Sequence, residues 1–268
     1  MKKYIFLMGA ILSMLILSNC KPAGKQASEI KKSEVQPIEN TAVEIFAKQE
    51  VPVLCYHRIS EGDKGDYTVS PSSFSAHMKI LSDSGYHTIS PTELYDYLVY
   101  NKDLPEKPVM ITFDDSRSEH SAIAAPVMEK YGFKGVFFIM TITYNKKNYM
   151  TTDQIVSLAK AGHTIGLHTW DHTMVTKFKD STDWQKQIEK PKAKLSSIIG
   201  MPVEYFAYPN GVFNHEGAKV LGKYFKLSFI LATKRDSTVP LQTIRRMIVP
   251  DWSSINMLKS MRRTFKLN

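Results

Sequence analysis

Residues 109–115 read Val109-Met110-Ile111-Thr112-Phe113-Asp114-Asp115, an apolar run that ends in two adjacent carboxylates. The run is rich in strand-forming residues, which predicts a buried strand that carries acids to the rim of a sheet or barrel. Parallel α/β folds build their functional sites at the carboxyl ends of strands. Neighbouring strand residues point to opposite faces, so Asp114 and Asp115 can have different roles. Taken alone, the dipeptide fits an ordinary polar turn better than a site, because Asp is common in turns.

The rest of the chain alternates between strand-like and helix-like segments. Short apolar runs predict strands at residues 51–57, 86–89, 135–139, 164–167, 203–207 and 227–231. Periodicity and capping residues predict helices at residues 74–84, 91–100, 121–131, 152–161, 183–200, 214–221 and 253–266. The helix at 183–200 is predicted despite Pro191 inside it. Such alternation indicates a parallel sheet, either open or closed into a barrel.

The composition is that of a globular protein with a basic surface. The chain has 268 residues, 43% of them hydrophobic, and a formal net charge of +9. Length allows one or two domains, and an α/β barrel of about 200–250 residues would use most of the chain. A basic surface suits anionic envelope polymers, membrane faces or nucleic acid. The sequence has no compact Lys/Arg cluster interleaved with aromatics, so we expect no nucleic-acid partner.

The amino terminus has the pattern of a targeting segment. Two lysines at positions 2 and 3 precede an apolar stretch at 4–17 that is short for a membrane span. The stretch ends in Leu17-Ser18-Asn19-Cys20, which resembles a bacterial lipobox with cysteine at the cleavage point. We therefore expect a lipoprotein signal peptide at 1–19 and lipidation at Cys20. An ordinary signal peptide and an uncleaved anchor are the alternatives.

A polar segment follows this amino terminus. Residues 20–50 are rich in Lys, Glu, Ser, Ala and Gln, which predicts a flexible tether leading from a membrane. One folded domain is then expected at 51–268, on the periplasmic or cell-surface side of the envelope. The chain has two cysteines, Cys20 and Cys55, so acylation of Cys20 would leave no disulfide.

A second informative stretch is Gly166-Leu167-His168-Thr169-Trp170-Asp171-His172, at the exit of a predicted strand. Two histidines four positions apart can converge on one cation if the chain turns there. A histidine pair in isolation is as often solvated and without a role. Combined with the Asp115 carboxylate, the two imidazoles leave open positions for water, as in catalytic metal sites. Iron oxygenases use the same ligand set, but the adjacent second Asp does not fit that class.

Two motifs together give the sequence a specific resemblance. Residues 112–115 (Thr-Phe-Asp-Asp) and 168–172 (His-Thr-Trp-Asp-His) are similar to the first two motifs of NodB-homology polysaccharide deacetylases, carbohydrate esterase family four. Residues 125–134 match the helix that usually lies between them. The third motif, at 206–211, resembles the version found in poly-N-acetylglucosamine deacetylases. The resemblance spans about residues 51–268 and implies a single distorted (β/α) barrel.

The resemblance also implies a metal-dependent site. Asp115, His168 and His172 would hold a divalent metal, zinc first, with cobalt, nickel, iron or manganese as alternatives. Asp114 would be the general base that deprotonates the attacking water. The metal and a backbone N–H near Asn210 would stabilise the oxyanion of the tetrahedral intermediate.

The sequence departs from the family pattern at three places. Ser116 follows the Asp pair where glycine is usual, and Ala207 stands where an arginine normally steadies the base. No late Leu-x-His motif supplies the usual general acid. His57, in a Tyr-His pair shared with the poly-N-acetylglucosamine subgroup, is our replacement for that acid. A capped or core histidine is the alternative.

Further substrate contacts are expected from the third motif and the C-terminal stretch. The candidates for oxyanion and sugar contacts are Tyr208, Pro209, Asn210 and Trp252, with stacking on sugar by the two aromatics. Large aromatics are more often simply core residues, which is the alternative for Tyr208 and Trp252.

The expected function is metal-dependent removal of N-acetyl groups from an envelope or exported polysaccharide. Poly-N-acetylglucosamine, peptidoglycan and chitin-like glycans are the candidate substrates, and we expect a monomer held at the membrane by its lipid anchor. Two alternatives remain. One is a catalytically inactive deacetylase-like lipoprotein that binds polysaccharide, since function depends on sites and not on folds. The other is an O-acetyl esterase on xylan-like glycans.

Overall fold

The computed structural model describes residues 39–62, 65–232 and 234–267. The predicted signal peptide, the predicted lipidation site Cys20 and most of the predicted tether lie outside the described residues. In the part of the chain that is described, no helix is both long and apolar enough to cross a membrane.

Short parallel strands form the centre of the fold. In chain order they are β1 (Val53–Tyr56), β2 (Arg58–Ile59), β3 (Thr68–Val69), β4 (His87–Thr88), β5 (Pro108–Phe113), β6 (Val136–Ile139), β7 (Thr164–Leu167), β8 (Tyr205–Ala207), β9 (Leu227–Ile230), β10 (Ile244–Arg245) and β11 (Met247–Ile248). The main sheet has the order β10-β9-β8-β7-β6-β5-β1-β11, and β4 pairs with the amino half of β5. β2 and β3 form a separate pair.

The sheet closes into a barrel at the segment that contains β10 and β11. β10 pairs with β9 at one edge of the sheet, whereas β11 pairs with β1 at the other edge. Only Arg246 lies between them, and its N–H donates to the Ile230 carbonyl at 3.1 Å. One extended segment therefore joins the two edges. The predicted (β/α) barrel is confirmed, and the open sheet is excluded.

Helices surround the barrel. They are α1 (Ala42–Ala47), α2 (Pro71–Asp83), α3 (Pro91–Tyr100), α4 (Ala125–Glu129), α5 (Thr152–Lys160), α6 (Ser181–Trp184), α7 (Lys190–Ile199), α8 (His215–Leu221) and α9 (Ser254–Phe265). A π-helical turn at His120–Ala124 leads into α4, and another at Gln185–Glu189 joins α6 to α7. Single 3₁₀ turns lie at Thr141–Thr143, Val175–Lys177, Pro209–Gly211 and Pro240–Gln242.

Local sequence signals explain where the helices begin. At α3 the Ser90 hydroxyl accepts the Glu93 N–H, and the Glu93 carboxylate accepts the Ser90 N–H, so both ends of a capping box are present. The predicted long helix is continuous through α6, the π turn and α7. The π turn ends at Glu189, two residues before Pro191, which has no N–H to donate, and the wider turn accommodates the proline without ending the helix.

Both faces of the barrel strands are buried. One face lines the interior of the barrel, which α1 and α3 close at its amino end; it includes Val53, Met110, Val136, Phe138 and Phe229. The opposite face packs beneath α2, α5, α7 and α9 and includes Leu54, Ile111, Phe113, Phe137 and Phe206. Continuous apolar strands are what this two-sided burial requires.

The folded domain includes residues that precede the predicted boundary at 51. Thr41 and Glu44 form a capping box at the start of α1, and Ile45 of that helix is buried in the core. The Asn40 N–H donates to the Val99 carbonyl at 2.8 Å, which fixes the entry to α1 against α3. The polar composition of residues 20–50 concealed this short helix, because only one of its side chains is buried.

Candidate active site

Three predicted metal ligands converge at the carboxyl ends of β5 and β7. The Asp115 Oδ1 atom lies 3.6 Å from His168 Nε2 and 3.5 Å from His172 Nε2. The ligand atoms of the three side chains all lie within 4.8 Å of one another. Asp115 and His172 both have φ of 72°, so left-handed turns after the two strands aim the side chains at one point.

The surroundings of these side chains fit a divalent cation. His168 Nδ1 donates to the Ala207 carbonyl at 2.7 Å, which orients the ring so that Nε2 faces Asp115. His168 Nε2 and Asp115 Oδ1 are buried and have no hydrogen-bond partner among the described residues. Buried polar atoms are normally paired, and a cation would satisfy both. Two imidazoles and one carboxylate suit zinc and leave open coordination positions.

Asp114 lies beside this cluster and is bound by Arg246. The guanidinium donates to Asp114 Oδ1 at 2.7 Å and to Oδ2 at 2.8 Å, a bidentate pair with both side chains fully buried. Arg246 also donates to the Thr112 hydroxyl at 3.3 Å, within the barrel interior. Burial raises the pKa of Asp114, but the charge and hydrogen bonds of Arg246 outweigh it and hold the pKa well below its usual range. Asp114 is therefore ionised at neutral pH.

His57 lies next to the same carboxylate, at the end of β1. Its Nε2 atom is 3.8 Å from Asp114 Oδ2, and its side chain is 11% exposed. The edge of its ring packs on Tyr67 at a centroid distance of 5.0 Å, and His120 donates to its backbone carbonyl. Burial lowers the pKa of His57, while the nearby carboxylates oppose that shift.

Buried Cys55 completes the surroundings of Asp114. The Cys55 Sγ atom lies 3.8 Å from Asp114 Oδ2 and 3.9 Å from His57 Nδ1. Burial raises the pKa of the thiol, so Cys55 is present as the thiol and not as a thiolate ligand. Both Asp114 oxygens already bond to Arg246, so these residues form an ion-pair environment rather than a second cation site.

The chain is similar to known polysaccharide deacetylases. A family model described as polysaccharide deacetylase matches residues 101–224. The candidate polysaccharide deacetylase YxkH of Bacillus subtilis is 31% identical over 234 residues, which cover 82% of this chain and 81% of that protein. The chain belongs to the polysaccharide deacetylase family.

Two further proteins match most of the chain. A poly-beta-1,6-N-acetyl-D-glucosamine N-deacetylase of Staphylococcus epidermidis is 23% identical over 250 residues, covering 83% of this chain and 84% of that one. The Streptococcus pyogenes deacetylase PplD, solved with acetate, has a TM-score of 0.72 and 23% identity, covering 84% of this chain and 99% of that chain. This structural likeness shows that the two proteins share the barrel fold.

Arg246 contacts Asp114, the carboxylate that the motif-three arginine of the family usually steadies. Position 207, where the family usually has arginine, is Ala207, and its backbone carbonyl instead orients His168. Arg246 reaches Asp114 from the segment that closes the barrel. The available sequence signal was an arginine pair at the start of a short apolar run, Arg245-Arg246-Met247-Ile248-Val249, but nothing in that pattern indicates the distant partner.

Ser116 occupies the usual glycine position with compensating hydrogen bonds. Its φ of 58° lies in the left-handed region that favours glycine. The buried Ser116 hydroxyl accepts the Met140 N–H at 2.7 Å, and the Ser116 carbonyl accepts the Met150 N–H at 2.9 Å. These bonds tie the turn after β5 to the loop after β6 and offset the strained backbone.

The remaining predicted substrate contacts lie in different environments. Tyr208 is fully buried against Phe206, in the position of a core residue, and Pro209 is buried as well. Asn210 is exposed at the tip of the turn after β8, with φ of 57°. Trp252 is half-buried after β11, and its carbonyl accepts a hydrogen bond from His77.

Proposed function

We propose that this deacetylase is a metal-dependent hydrolase that removes N-acetyl groups from an envelope or exported polysaccharide. The proposal rests on one observation, which is that the two adjacent carboxylates have different surroundings. Asp115 faces two histidines with an unpaired oxygen, whereas Asp114 is fixed as an anion by Arg246. One carboxylate is thus suited to hold a cation and the other to accept a proton.

Asp115, His168 and His172 would hold the cation, which we propose is zinc, with cobalt, nickel, iron or manganese as alternatives. When bound, such a cation supplies Lewis-acid chemistry, because it polarises a carbonyl and lowers the pKa of water. The Ala207 carbonyl fixes the tautomer of His168 that presents Nε2 to the cation.

Asp114 would act as the general base. Its Oδ2 atom lies within 4 Å of both His57 Nε2 and His168 Nε2, so it faces the triad. Arg246 keeps the carboxylate ionised and fixes its orientation, which a base requires before it can accept the proton of the attacking water. Attack on the acetyl carbon forms a C–O bond and a tetrahedral oxyanion. A backbone N–H near Asn210 is the protein donor that we propose for this oxyanion.

His57 would act as the general acid. Breaking the C–N bond releases acetate and an amine, and the departing nitrogen needs a proton. His57 follows β1, which lies between β5 and the closing strand β11, and its side chain is partly accessible, so it can receive and deliver a proton. Its ring is held in place by Tyr67.

Two observations favour the enzyme over the binding protein and the esterase. The departures at Ser116 and Ala207 that made an inactive protein credible are compensated by the Ser116 hydroxyl and by Arg246. The Staphylococcus epidermidis relative is named for N-deacetylation of poly-beta-1,6-N-acetyl-D-glucosamine, which supports an N-acetylated glycan as the substrate.

The test is acetate release from matched N-acetylated and O-acetylated oligomers, with the protein first stripped of metal and then supplied with zinc or cobalt. We expect metal-dependent release from the N-acetylated oligomer. Release from the O-acetylated oligomer alone would support the esterase, and no release with either would support the binding protein.

We also propose that the protein is a monomer anchored at the membrane through a lipid on Cys20. Replacing Cys20 with alanine should move the protein from the membrane fraction to the soluble fraction of cells. Continued membrane association of C20A would contradict lipidation at this cysteine.

A further inference from the structure

A groove lies beside the loop that joins His168 to His172. Trp170 lies on the loop between His168 and His172. Its backbone N–H donates to the side-chain oxygen of Gln187 in the π turn at 3.2 Å. Its carbonyl accepts the Ile142 N–H at 2.9 Å, so the loop, the chain after β6 and the long helix meet there. The cavity between them is about 330 Å³, and the side chains that line it include Thr141, Tyr144, Trp170, Lys186, Lys190 and Lys194.

The long helix contributes a row of positive charge to this groove, and the charge of Lys186 also acts on Asp171 of the adjoining loop. Lys186, Lys190 and Lys194 are exposed, and none forms an ion pair with a carboxylate anywhere in the described residues. Glu189 of the same helix bonds instead to Tyr224 at 2.7 Å. Like charges along one helix face repel each other and destabilise the helix, so a bound anion would relieve this repulsion.

The aromatic residues of the groove support the same interpretation. The Lys186 ammonium lies 4.5 Å from the centroid of the Trp170 ring, so it covers a ring face that could otherwise stack on sugar. The groove therefore offers cationic donors rather than an open apolar platform.

We propose that this groove is an anion subsite for the polymer chain, and that it binds a carboxylate or phosphate on a sugar near the one being deacetylated. The inference rests on the proposed function, since the groove shares its loop with the triad, and it narrows the substrate to an anionic glycan. Uncharged poly-N-acetylglucosamine would leave the subsite empty.

The kinetic test compares neutral and anionic substrates of equal length. The neutral probe is an N-acetylglucosamine oligomer. The carboxylate probe alternates N-acetylglucosamine with N-acetylmuramic acid, and a phosphate-substituted oligomer separates the two anion sources. We expect the wild-type protein to have a higher kcat/KM on at least one anionic probe. K190Q/K194Q should lose about tenfold on that probe and less than about twofold on the neutral one.

Lys192 provides the matched control. It lies on the same helix but over the Phe225 ring, with its ammonium 5.7 Å from the ring centroid, and it does not line the groove. K192Q should keep the wild-type preference for the anionic probe. Added salt should reduce that preference in the wild type and have little effect on K190Q/K194Q, because exposed charges are screened. Equal kcat/KM on neutral and anionic probes, or equal loss on both, would overturn the proposal.

Equilibrium binding separates this inference from the proposed function. Binding of the same three oligomers to D114N reports the subsite without turnover. D114N should bind an anionic oligomer selectively, and adding K190Q/K194Q to D114N should abolish that selectivity. This result would support the subsite even if no substrate released acetate. Equal binding of all three oligomers would overturn the subsite even if acetate release from the neutral oligomer supported the enzyme.

Discussion

Replacing Arg246 with glutamine should disrupt the proposed base without touching the metal ligands. The guanidinium and the Asp114 carboxylate are 0% and 1% exposed and are joined by bonds of 2.7 and 2.8 Å. Removing one partner of a buried ion pair typically costs about 3–5 kcal/mol, because the other charge is left unpaired. We expect R246Q to lose about that much free energy of unfolding at neutral pH.

The pH dependence of this loss follows from the sign of the pKa shift. Burial raises the pKa of Asp114, and Arg246 more than reverses the shift, so the folded pKa lies below the unfolded one. The pair therefore stabilises the fold above the unfolded carboxyl pKa, and the contribution is lost as pH falls through the folded pKa. In R246Q burial is no longer opposed by the guanidinium, so the pKa of Asp114 rises. The difference in unfolding free energy between wild type and R246Q should then shrink on acidification.

Activity should report the same change. A protonated Asp114 cannot accept a proton, so the acid limb of the kcat/KM profile for acetate release should move to higher pH in R246Q. Arg245 provides the control, since it pairs with Glu50 outside the site and its side chain is 20% exposed. R245Q should lower stability in urea unfolding without moving the acid limb. An R246Q protein with full kcat/KM and an unshifted acid limb would refute the role given to Arg246.

Three further outcomes are expected. A chelator should abolish acetate release, and zinc at about 100 times its Kd should restore it. The same zinc concentration should add about 2.7 kcal/mol to the unfolding free energy in a thermal or urea titration. Full activity after verified metal removal would contradict this expectation. H57Q should lower kcat by about a hundredfold while metal content by elemental analysis stays the same, and an unchanged kcat would show that another group is the acid. S116A should lose about 1–3 kcal/mol in urea unfolding, because the buried Met140 N–H loses its acceptor, and S116A as stable as wild type would mean that water replaces the hydroxyl.

The sequence was most informative where local signals determine the structure. Short apolar runs identified β5, β6 and β7, and the capping residues Ser90 and Glu93 identified α3. The histidine spacing and the two motifs predicted which side chains gather at the carboxyl ends of these strands, and the structure brings those side chains together. Strand ends of a parallel barrel necessarily meet on one face, which is why short motifs were sufficient.

Long-range contacts were not predictable from the same signals. Arg246 and Asp114 are 132 positions apart and meet only because two-residue strands close the barrel between β9 and β1. Strands that short have no recognisable periodicity. The burial of Tyr208 was not predictable either, because a local pattern does not show whether an aromatic residue after a strand faces a groove or the core. Here the ring is buried against Phe206.

The most direct test of the account compares D114N with D115N, adjacent substitutions of equal size in the same turn. Each purified protein would be loaded with zinc, and its bound metal and its rate of acetate release from an N-acetylated oligomer would be measured. We expect D114N to retain the metal and lose turnover by at least about a hundredfold, and D115N to lose both. Loss of metal from D114N together with retention by D115N would contradict the division of roles between the two carboxylates.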